Sequence, residues 1–364
     1  MKTTHSQMRK KKGQAKAVLI CALLIVAFSA GAFGLSYVLF FRPDVSVQVP
    51  FETGKETVDV DAPVVEGGLY ARKPGYYTFL VAGVDDASLN TDVMMLVLLN
   101  TNDKKINVVQ LPRDTFINKT VGGYSYAVTV NAMYSSHYHT FQTEDRRERA
   151  MRNVCSRLEQ SLCMQIDRYI LVDTAVFRDA IDRIGGVDFD VPMNMDYDDP
   201  YQNLHIHLKA GMQTLNGPDA EGLIRFRSGY SSGDLDRIDT RADFMRAALS
   251  QVKSKMTLPS FLAIAQSLRE NTVTDITTEE LIYFTRAVFA VPDENVTVKT
   301  VGGSVVQNDE TGAWRYFCLN KEAARADVNR YLNVYTQSIP ESLFDAEGFF
   351  TDATVRYLDD YYQS

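Results

Sequence analysis

Val93-Met-Met-Leu-Val-Leu-Leu99 is followed, after six polar residues, by Ile106-Asn-Val-Val-Gln-Leu111. The two apolar runs have the length of strands, and the polar segment between them is typical of a hairpin turn. Because nearly every side chain of the first run is apolar, it predicts a strand that is buried on both faces. Such a strand belongs in the middle of a layered α/β domain, with helices above and below the sheet.

Strand-like and helix-like patterns alternate on both sides of that hairpin. Strands are predicted at residues 77–83, 169–172, 187–191 and 296–301, and helices at 146–162, 174–184, 243–252 and 321–332, with two more helical patterns between 256 and 296. Thr174 is the predicted N-cap of the second helix, and Gly185-Gly186 ends it. The patterns together predict the α/β fold class, with a mixed central β-sheet sandwiched between helices in a three-layer αβα domain.

The segment from Ala17 to Phe41 contains no charged residue. Its 25 residues, at a rise of about 1.5 Å each, are long enough for a helix to cross a hydrocarbon core of about 30 Å. Six basic residues and no acidic residue precede it, which predicts a cytoplasmic N-terminus and an extracellular globular domain. The protein is therefore expected in the cell membrane as a single-pass protein. A signal peptide cleaved near Ala30-Gly31-Ala32 is the alternative, although the apolar run continues beyond those residues.

Composition divides the chain into five segments. They are a basic tail at 1–16, the membrane anchor at 17–41, an extracellular linker with scattered Pro and Gly at 42–75, the main domain at 76–335 and a C-terminal tail at 336–364. Removing the six basic residues of the tail from the 38 Lys and Arg leaves 32 against 46 Asp and Glu, a net charge of −14. Since nucleic-acid binding needs a basic surface, no nucleic-acid partner is expected.

The four cysteines do not suggest a disulfide framework. Cys21 lies in the predicted membrane span, which leaves Cys155, Cys163 and Cys318 outside it, an odd number. Cys155 and Cys163 are eight residues apart in a helix-like stretch. If both are helical, they are about 12 Å apart, too far for a bridge without a turn between them. The sequence leaves one disulfide bridge open.

Two carboxylates flank the loop between the first two strands. Asp85 ends the first strand and Asp92 begins the next, so both face the same rim of the sheet. Sites in α/β proteins form at such strand ends. Two carboxylates there suit a hard divalent ion, Mg²⁺ or Mn²⁺, which prefers oxygen ligands. A solvated acidic loop is the alternative interpretation of the same spacing.

Arginines are concentrated at two places. Arg113 follows the second strand of the hairpin and, because that strand is antiparallel to the first, leaves the sheet at the edge where Asp92 lies. A second group, within seventeen residues, contains Arg225, Arg227, Asp234, Arg237 and Arg241. Guanidinium groups match phosphate oxygens bidentately, so this group indicates an anionic partner. Surface ion pairs with the neighbouring aspartates are the alternative.

Seven sequence blocks follow one another along the chain. They are Gly83-Val-Asp85, Thr91-Asp92-Val-Met-Met-Leu, Leu111-Pro-Arg113-Asp114-Thr, Val130-Asn131-Ala, Ile184-Gly-Gly-Val-Asp-Phe-Asp-Val-Pro, Leu208-Lys-Ala-Gly-Met-Gln-Thr-Leu-Asn-Gly, and Arg225-Phe-Arg227 with Asp234-Leu-Asp-Arg237-Ile. In this order, over roughly residues 76 to 255, they resemble the motifs of the LytR-CpsA-Psr family.

The resemblance implies a membrane-anchored phosphotransferase of Gram-positive cell walls. Such an enzyme moves a glycopolymer, for example teichoic acid or capsular polysaccharide, from an undecaprenyl (pyro)phosphate carrier to peptidoglycan. In the motifs, Asp85 and Asp92 match the metal-binding carboxylates, with Mg²⁺ (or Mn²⁺) as the implied cofactor. The arginines that hold the pyrophosphate match Arg113, Arg225, Arg227 and Arg237, and the proposed general base matches Asp234.

Two departures from the family pattern affect this assignment. The loop from Asp85 to Asp92 is short and lacks the arginine often found there. Arg241 stands where many members have Gln, and it becomes a further candidate for binding the pyrophosphate. The candidate catalytic residues are therefore Asp234, Arg113 and Arg237, supported by the other arginines.

Two other functions fit the same residues, namely hydrolysis of a polyprenyl pyrophosphate and non-catalytic sensing of a lipid-linked precursor. The identity of the polymer is expected to depend on loops at 118–145 and 193–207. A polyprenyl chain also needs an apolar tunnel, for which the candidates are Met94, Met95, Phe177 and Phe226, although for each of them ordinary core packing is the favoured interpretation. His205 and His207 alternate on one face of a short strand and need no ligand.

The predicted topology can be tested with a protease. Added outside intact cells stripped of their wall, it should remove the globular domain, because that domain follows the anchor on the outer side. The measurement is the size of the fragment that remains in the membrane. Complete protection of the domain would contradict the orientation.

Overall fold

A computed structural model describes residues 41–45, 71–85, 88–121, 124–199, 204–226, 234–307 and 315–344. The side chains at 118–121, 124–128, 234–239 and 343 lie outside this description. The predicted basic tail at 1–16, the predicted span at 17–41 except Phe41, most of the linker and residues 345–364 are also outside it. Within the described ranges, no helix combines the length and hydropathy that a membrane crossing requires.

The described chain alternates between strands and helices. The first half forms β1 (Tyr76–Val84), β2 (Thr91–Asn100), β3 (Lys105–Leu111), β4 (Phe116–Val121), β5 (Tyr124–Thr129), α1 (Val130–Thr140), α2 (Arg146–Leu162), β6 (Arg168–Asp173), α3 (Thr174–Arg183) and β7 (Val187–Val191). The second half forms β8 (Met195–Asp199), β9 (Leu204–Leu208), β10 (Gly211–Leu215), α4 (Gly217–Arg225), α5 (Asp234–Lys255), α6 (Leu258–Arg269), β11 (Val273–Thr274), α7 (Thr278–Phe289), β12 (Val296–Thr300), β13 (Gly303–Gln307), β14 (Arg315–Leu319) and α8 (Lys321–Asp327).

Six of the described strands form one sheet in the order β11-β6-β1-β2-β3-β12. The sheet is mixed, because β1, β2 and β3 pair antiparallel while β6 and β12 join it parallel to β1 and β3. This arrangement places the carboxyl ends of β1, β3 and β6 at the same edge as the amino end of β2. That edge is where the sequence predicted a site.

Helices cover both faces of the sheet, as the sequence predicted. Leu80 and Leu96 are fully buried on the face that packs against α1 and α2. Phe79 and Leu99 are buried on the opposite face, against α5 and α7. Because apolar side chains of β1 and β2 enter both layers, their burial joins the layers.

A smaller core lies beside the sheet. It joins α3, α4 and α5 to β7, β9 and β10, with Val187, Leu215 and Ala220 fully buried and Phe244 nearly so. Helix α4 packs in this core, and it places charged residues at the edge of the main sheet.

Several predicted boundaries need correction. The N-cap of α3 is Asp173 and not Thr174, since Asp173 Oδ1 accepts a hydrogen bond from Val176 N at 2.7 Å. Asp173 is also the last residue of β6, so the helix begins directly after the strand without the connecting residue that the prediction assumed. The helix predicted at 243–252 is α5, which begins at Asp234. Four aspartates among its first ten residues conceal the apolar stripe of its first turns.

The two predicted loops are largely regular structure. Residues 118–145 contain most of the β4–β5 hairpin and the whole of α1, and residues 193–207 contain most of the β8–β9 hairpin. Hairpins with one exposed face carry polar residues at alternate positions, so their composition is similar to that of loops. The helix predicted at 321–332 is α8 followed by a π-helical turn at Val328–Leu332.

All three cysteines outside the predicted span are buried, and none of them forms a disulfide bridge. Burial raises the pKa of Cys163 to about 11 and that of Cys318 to about 12. These thiols therefore stay protonated at neutral pH and pack as small apolar groups. The disulfide bridge that the sequence left open is not formed among them.

Helix α4 begins in direct contact with α3. A Cβ at Gly217 would lie 2.5 Å from the carbonyl oxygen of Arg178 and 2.8 Å from its Cα. Backbone atoms of a helix cannot yield by that amount, so Gly217 is what allows the two helices to approach. Gly222, in the same helix, differs because a Cβ there would meet only the side chain of Ile206, at 3.4 Å.

Two alanine substitutions in α4 should therefore have different effects on stability. Gly217→Ala should lower the free energy of unfolding by about 1–3 kcal/mol, because it forces α3 and α4 apart. Gly222→Ala should leave it unchanged or raise it by up to about 1 kcal/mol, because alanine favours a helix and fits the space. Denaturant unfolding of both variants measures the difference, and equal effects would contradict the proposed helix contact.

Candidate active site at the edge of the sheet

The two predicted metal-binding carboxylates lie at the edge of the sheet where β1 ends and β2 begins. Asp85 follows the last residue of β1, and Asp92 is the second residue of β2. Pairing between the strands is irregular here, since Gly83 lies opposite Val93 but Val84 lies opposite Thr91. Asp92 is therefore the extra residue of a β-bulge, and both carboxylates line one cavity.

Arg113 reaches this edge from the end of β3. Its Nη1 donates to Asp92 Oδ1 at 2.7 Å and its Nε donates to Asp114 Oδ1 at 3.1 Å. The guanidinium is half-buried, with 22% of the side chain exposed. The antiparallel hairpin thus places Arg113 beside Asp92, as its spacing predicted.

Arg225 approaches from the other side, at the last residue of α4. Its Nη1 donates to Glu221 Oε1 at 2.9 Å, and its Nη2 lies 4.0 Å from Asp85 Oδ2. Glu221 is almost fully buried and also accepts a hydrogen bond from Arg178 Nε. Glu221 therefore holds the guanidinium of Arg225 in place while α3 supplies a second positive charge.

Glu221 was not among the predicted site residues, although its sequence position carries a signal. Glu221 precedes Arg225 by four residues, the spacing at which an acid and a base face each other on a helix. The arginines were predicted as ligands for an anion. The acid that orients one of them was not predicted.

Arg241 has a partner that the sequence did not indicate. Its Nε and Nη2 both donate to the carbonyl oxygen of Ile224, at 2.9 and 2.6 Å, and the residue is buried. A guanidinium in this position satisfies a carbonyl at the C-terminal end of α4 and joins α5 to it. Arg241 thus links two helices, and its role in binding the pyrophosphate stays a prediction.

The remaining candidates lie only partly within the described structure. Asp234 is the first residue of α5 and Arg237 follows it in the same helix, but the side chains of both are outside the description. Arg227 lies outside the described residues altogether. Their assignments stay predictions.

An apolar cavity of about 210 Å³ opens at this edge. Met95 of β2, Val172 of β6, Phe177 of α3 and Met245 of α5 line its wall, and Asp85, Asp92, Glu221 and Arg225 also belong to the lining. Of the four predicted tunnel residues, Met95 and Phe177 line the cavity. Met94 and Phe226 are instead buried in the two neighbouring cores.

The donor set at the edge suits a hard cation. The groups of the cavity lining that could ligate a metal are carboxylates, namely Asp85, Asp92, Asp173 and Glu221, with no His or Cys among them. Asp173 is committed to the N-cap of α3 and Glu221 to two arginines. Asp85 and Asp92 therefore fit Mg²⁺ or Mn²⁺ better than zinc.

The fold and this site define a class of protein, an α/β protein in which paired charges lie beside an apolar cavity at one sheet edge. Residues 48–330 match the LytR_cpsA_psr family, so the chain belongs to that family.

Two curated relatives have the same identity to this chain but match it over different lengths. TagV of Bacillus subtilis, a polyisoprenyl-teichoic acid–peptidoglycan teichoic acid transferase, is 25% identical over 239 residues, which are 64% of this chain and 58% of TagV. TagU of Oceanobacillus iheyensis, with the same transferase name, is 25% identical over 328 residues, 89% of this chain and 94% of TagU. The match thus spans little more than half of TagV and nearly all of TagU.

The crystal structure of Bacillus subtilis TagV has the same fold. Its TM-score with this chain is 0.57 at 23% identity, and the superposition covers 71% of this chain and 98% of that chain.

The role of Glu221 can be measured through stability. Glu221→Gln should lower the free energy of unfolding by about 1.5–3 kcal/mol, because two guanidinium groups lose a buried carboxylate. The matched control is Asp179→Asn, which breaks the exposed Arg183–Asp179 ion pair and should cost less than about 1 kcal/mol. Thermal and denaturant unfolding measure both, and equal losses would show that Glu221 has no special role.

Proposed function

We propose that this protein transfers a glycopolymer from a polyprenyl (pyro)phosphate carrier to peptidoglycan at the outer face of the membrane. The observation that carries the proposal is the cavity at the sheet edge, where an apolar wall meets Asp85, Asp92 and Arg225, with Arg113 paired to Asp92. A polyprenyl phosphate has the same two parts, an apolar chain and a charged head. The names of the relatives TagV and TagU describe the same kind of transfer.

The arginines would bind the phosphate oxygens. Arg113 and Arg225 enter from opposite sides of the edge, and each is already oriented by a carboxylate. Preorganised positive charge of this kind stabilises the charge that develops on phosphoryl oxygens during transfer. Arg227 and Arg237 are proposed as further phosphate ligands from the family motif.

Asp234 is proposed as the general base. It begins α5, and its carboxylate would take the proton from the incoming sugar hydroxyl as the new phosphate ester forms. The bond from phosphorus to the carrier phosphate then breaks, and the carrier phosphate leaves with the electron pair. Hydrolysis would follow the same steps with water in place of the hydroxyl.

Asp85 and Asp92 are proposed to hold a divalent cation, Mg²⁺ or Mn²⁺. When bound, the ion supplies further positive charge to the phosphoryl oxygens. The bulge contributes by turning Asp92 toward the cavity. The apolar wall would receive the first part of the polyprenyl chain and exclude water from the reacting phosphate.

The membrane location is part of the same proposal. The uncharged segment from Ala17 to Phe41 and the basic residues before it support one anchor with a cytoplasmic N-terminus. A carrier lipid lies in the membrane and peptidoglycan lies outside it, so an anchored extracellular domain can reach both.

The arginines provide the direct test. Arg113→Ala and Arg225→Ala should each lower turnover of a synthetic polyprenyl-pyrophosphate sugar by about 100-fold or more, since each removes a charge from the phosphate site. Arg183→Ala, an exposed arginine of α3, is the matched control and should keep full turnover. Product formation is measured by chromatography, and the unfolding temperature of each variant shows whether it is folded.

The same assay separates the alternatives. Wild-type turnover in both arginine variants would refute the site assignment. Tight binding of the substrate without any product, with and without Mg²⁺, would favour a sensor. Product formed without a sugar acceptor would indicate a hydrolase, and turnover unchanged by a chelator would remove the metal from the proposal.

A further inference from the structure

The β8–β9 hairpin has one buried face and one exposed face. Strand β9 turns Leu204, Ile206 and Leu208 into the small core, while His205 and His207 between them are exposed. The antiparallel register places Asp196 of β8 opposite His207 and Asp198 opposite His205. Directly opposed side chains of an antiparallel pair are close enough to interact. Two imidazoles and two carboxylates therefore share the outer face of the hairpin.

Both imidazoles converge on one carboxylate. His205 Nδ1 lies 2.5 Å from Asp198 Oδ1, and His207 Nε2 lies 3.5 Å from the same oxygen. One potential ligand atom from each of the three residues falls within 4.8 Å of the other two. Two independent cross-strand pairs, His205 with Asp198 and His207 with Asp196, would not include a contact between His207 and Asp198. The diagonal approach of His207 to Asp198 brings the three residues together as one cluster.

We propose that His205, His207 and Asp198 bind a divalent transition-metal ion, with zinc as the best match. Two imidazole nitrogens and one carboxylate oxygen are a common protein ligand set for zinc, which takes about four ligands in total. Water can complete the coordination, because the cluster is exposed. Mg²⁺ prefers oxygen ligands, so this cluster differs in chemistry from Asp85 and Asp92 at the sheet edge.

Asp196 gives this cluster a second feature of metal sites. Its Oδ1 lies 2.6 Å from His207 Nδ1, on the opposite side of the ring from the nitrogen that faces Asp198. A carboxylate on one imidazole nitrogen fixes the ring and leaves the other nitrogen to face the metal. Asp196 is therefore a positioning residue for His207.

The cluster is connected to α4 through one residue. Ile206, between the two histidines, is buried, and its side chain lies beside Gly222 of α4. Arg225 lies three residues further along that helix. A metal ion that joins β8 to β9 would stabilise the hairpin against which α4 packs, and any ligand of the folded state raises its stability.

The proposal is tested by calorimetric titration of the chelator-treated full chain with zinc chloride. One zinc ion should bind per chain, and zinc should raise the unfolding temperature. His205→Ala and His207→Ala should each weaken binding by more than tenfold, and Asp196→Asn by about tenfold, the scale expected for a partner of a metal ligand. An excess of Mg²⁺ should not displace the zinc.

Two variants serve as controls. His139→Ala removes an exposed histidine of α1 outside the cluster and should bind zinc as the unaltered chain does. Asp92→Asn should also leave zinc binding unchanged, which separates this cluster from the proposed cation site at the sheet edge. Absence of zinc binding to the unaltered chain, or undiminished binding in both histidine variants, would overturn the proposal. Loss of zinc binding in Asp92→Asn would assign the ion to the sheet edge instead and also overturn it.

Discussion

The position of Asp92 depends on one irregularity in the pairing of β1 with β2. Val93 and Met95 line the cavity, whereas Met94 is buried on the opposite face of the sheet. In a regular strand Asp92 would share the face of Met94, because side chains alternate. The extra residue in β2 breaks this alternation, so Thr91 donates to the carbonyl oxygen of Asn131 in α1 while Asp92 joins Val93 at the cavity. Without the bulge, this carboxylate would lie under α1, and Arg113 would lose its ion pair with Asp92.

The second side of the site depends on the position of α4. Gly217 allows the helix to begin against α3, Glu221 orients Arg225, and Arg241 holds the carbonyl of Ile224 from α5. The three contacts come from different parts of the chain and act on one helix of nine residues. Because Arg225 and Arg178 each donate to Glu221 and Arg241 donates to a carbonyl oxygen, Arg225 stays oriented in a domain that is acidic overall. Substrate phosphate would then meet a guanidinium that is already in place, and less entropy is lost on binding.

The layers of the fold could be predicted because a strand that is buried on both faces is an uninterrupted apolar run in the sequence. The hairpin of β2 and β3, the helix at 146–162 and the convergence of Arg113 with Asp92 all followed from such runs and their turns. The bulge could not be predicted, since a strand that is apolar on both faces shows no alternation whose interruption could be seen. Arg241 was predicted to bind a phosphate, and its hydrogen bonds to Ile224 could not be predicted, because composition does not distinguish an arginine that caps a helix from one that binds an anion. Glu221 was overlooked although its spacing from Arg225 was visible.

The two histidines of β9 also show what the sequence can and cannot predict. Alternation alone correctly placed His205 and His207 on one face, and a pair of histidines by itself gives no reason to expect an ion. The carboxylates belong to β8, and which of them lie opposite the histidines depends on the pairing register of β8 with β9. The sequence of β9 alone does not determine that register. Shifting that register by one residue would turn Asp196 and Asp198 to the other face and remove the cluster. The buried residue Met195 of β8 opposes such a shift, because the shift would turn its side chain to the exposed face. Packing of the inner face therefore determines the chemistry of the outer face, as the bulge does for Asp92 at the sheet edge.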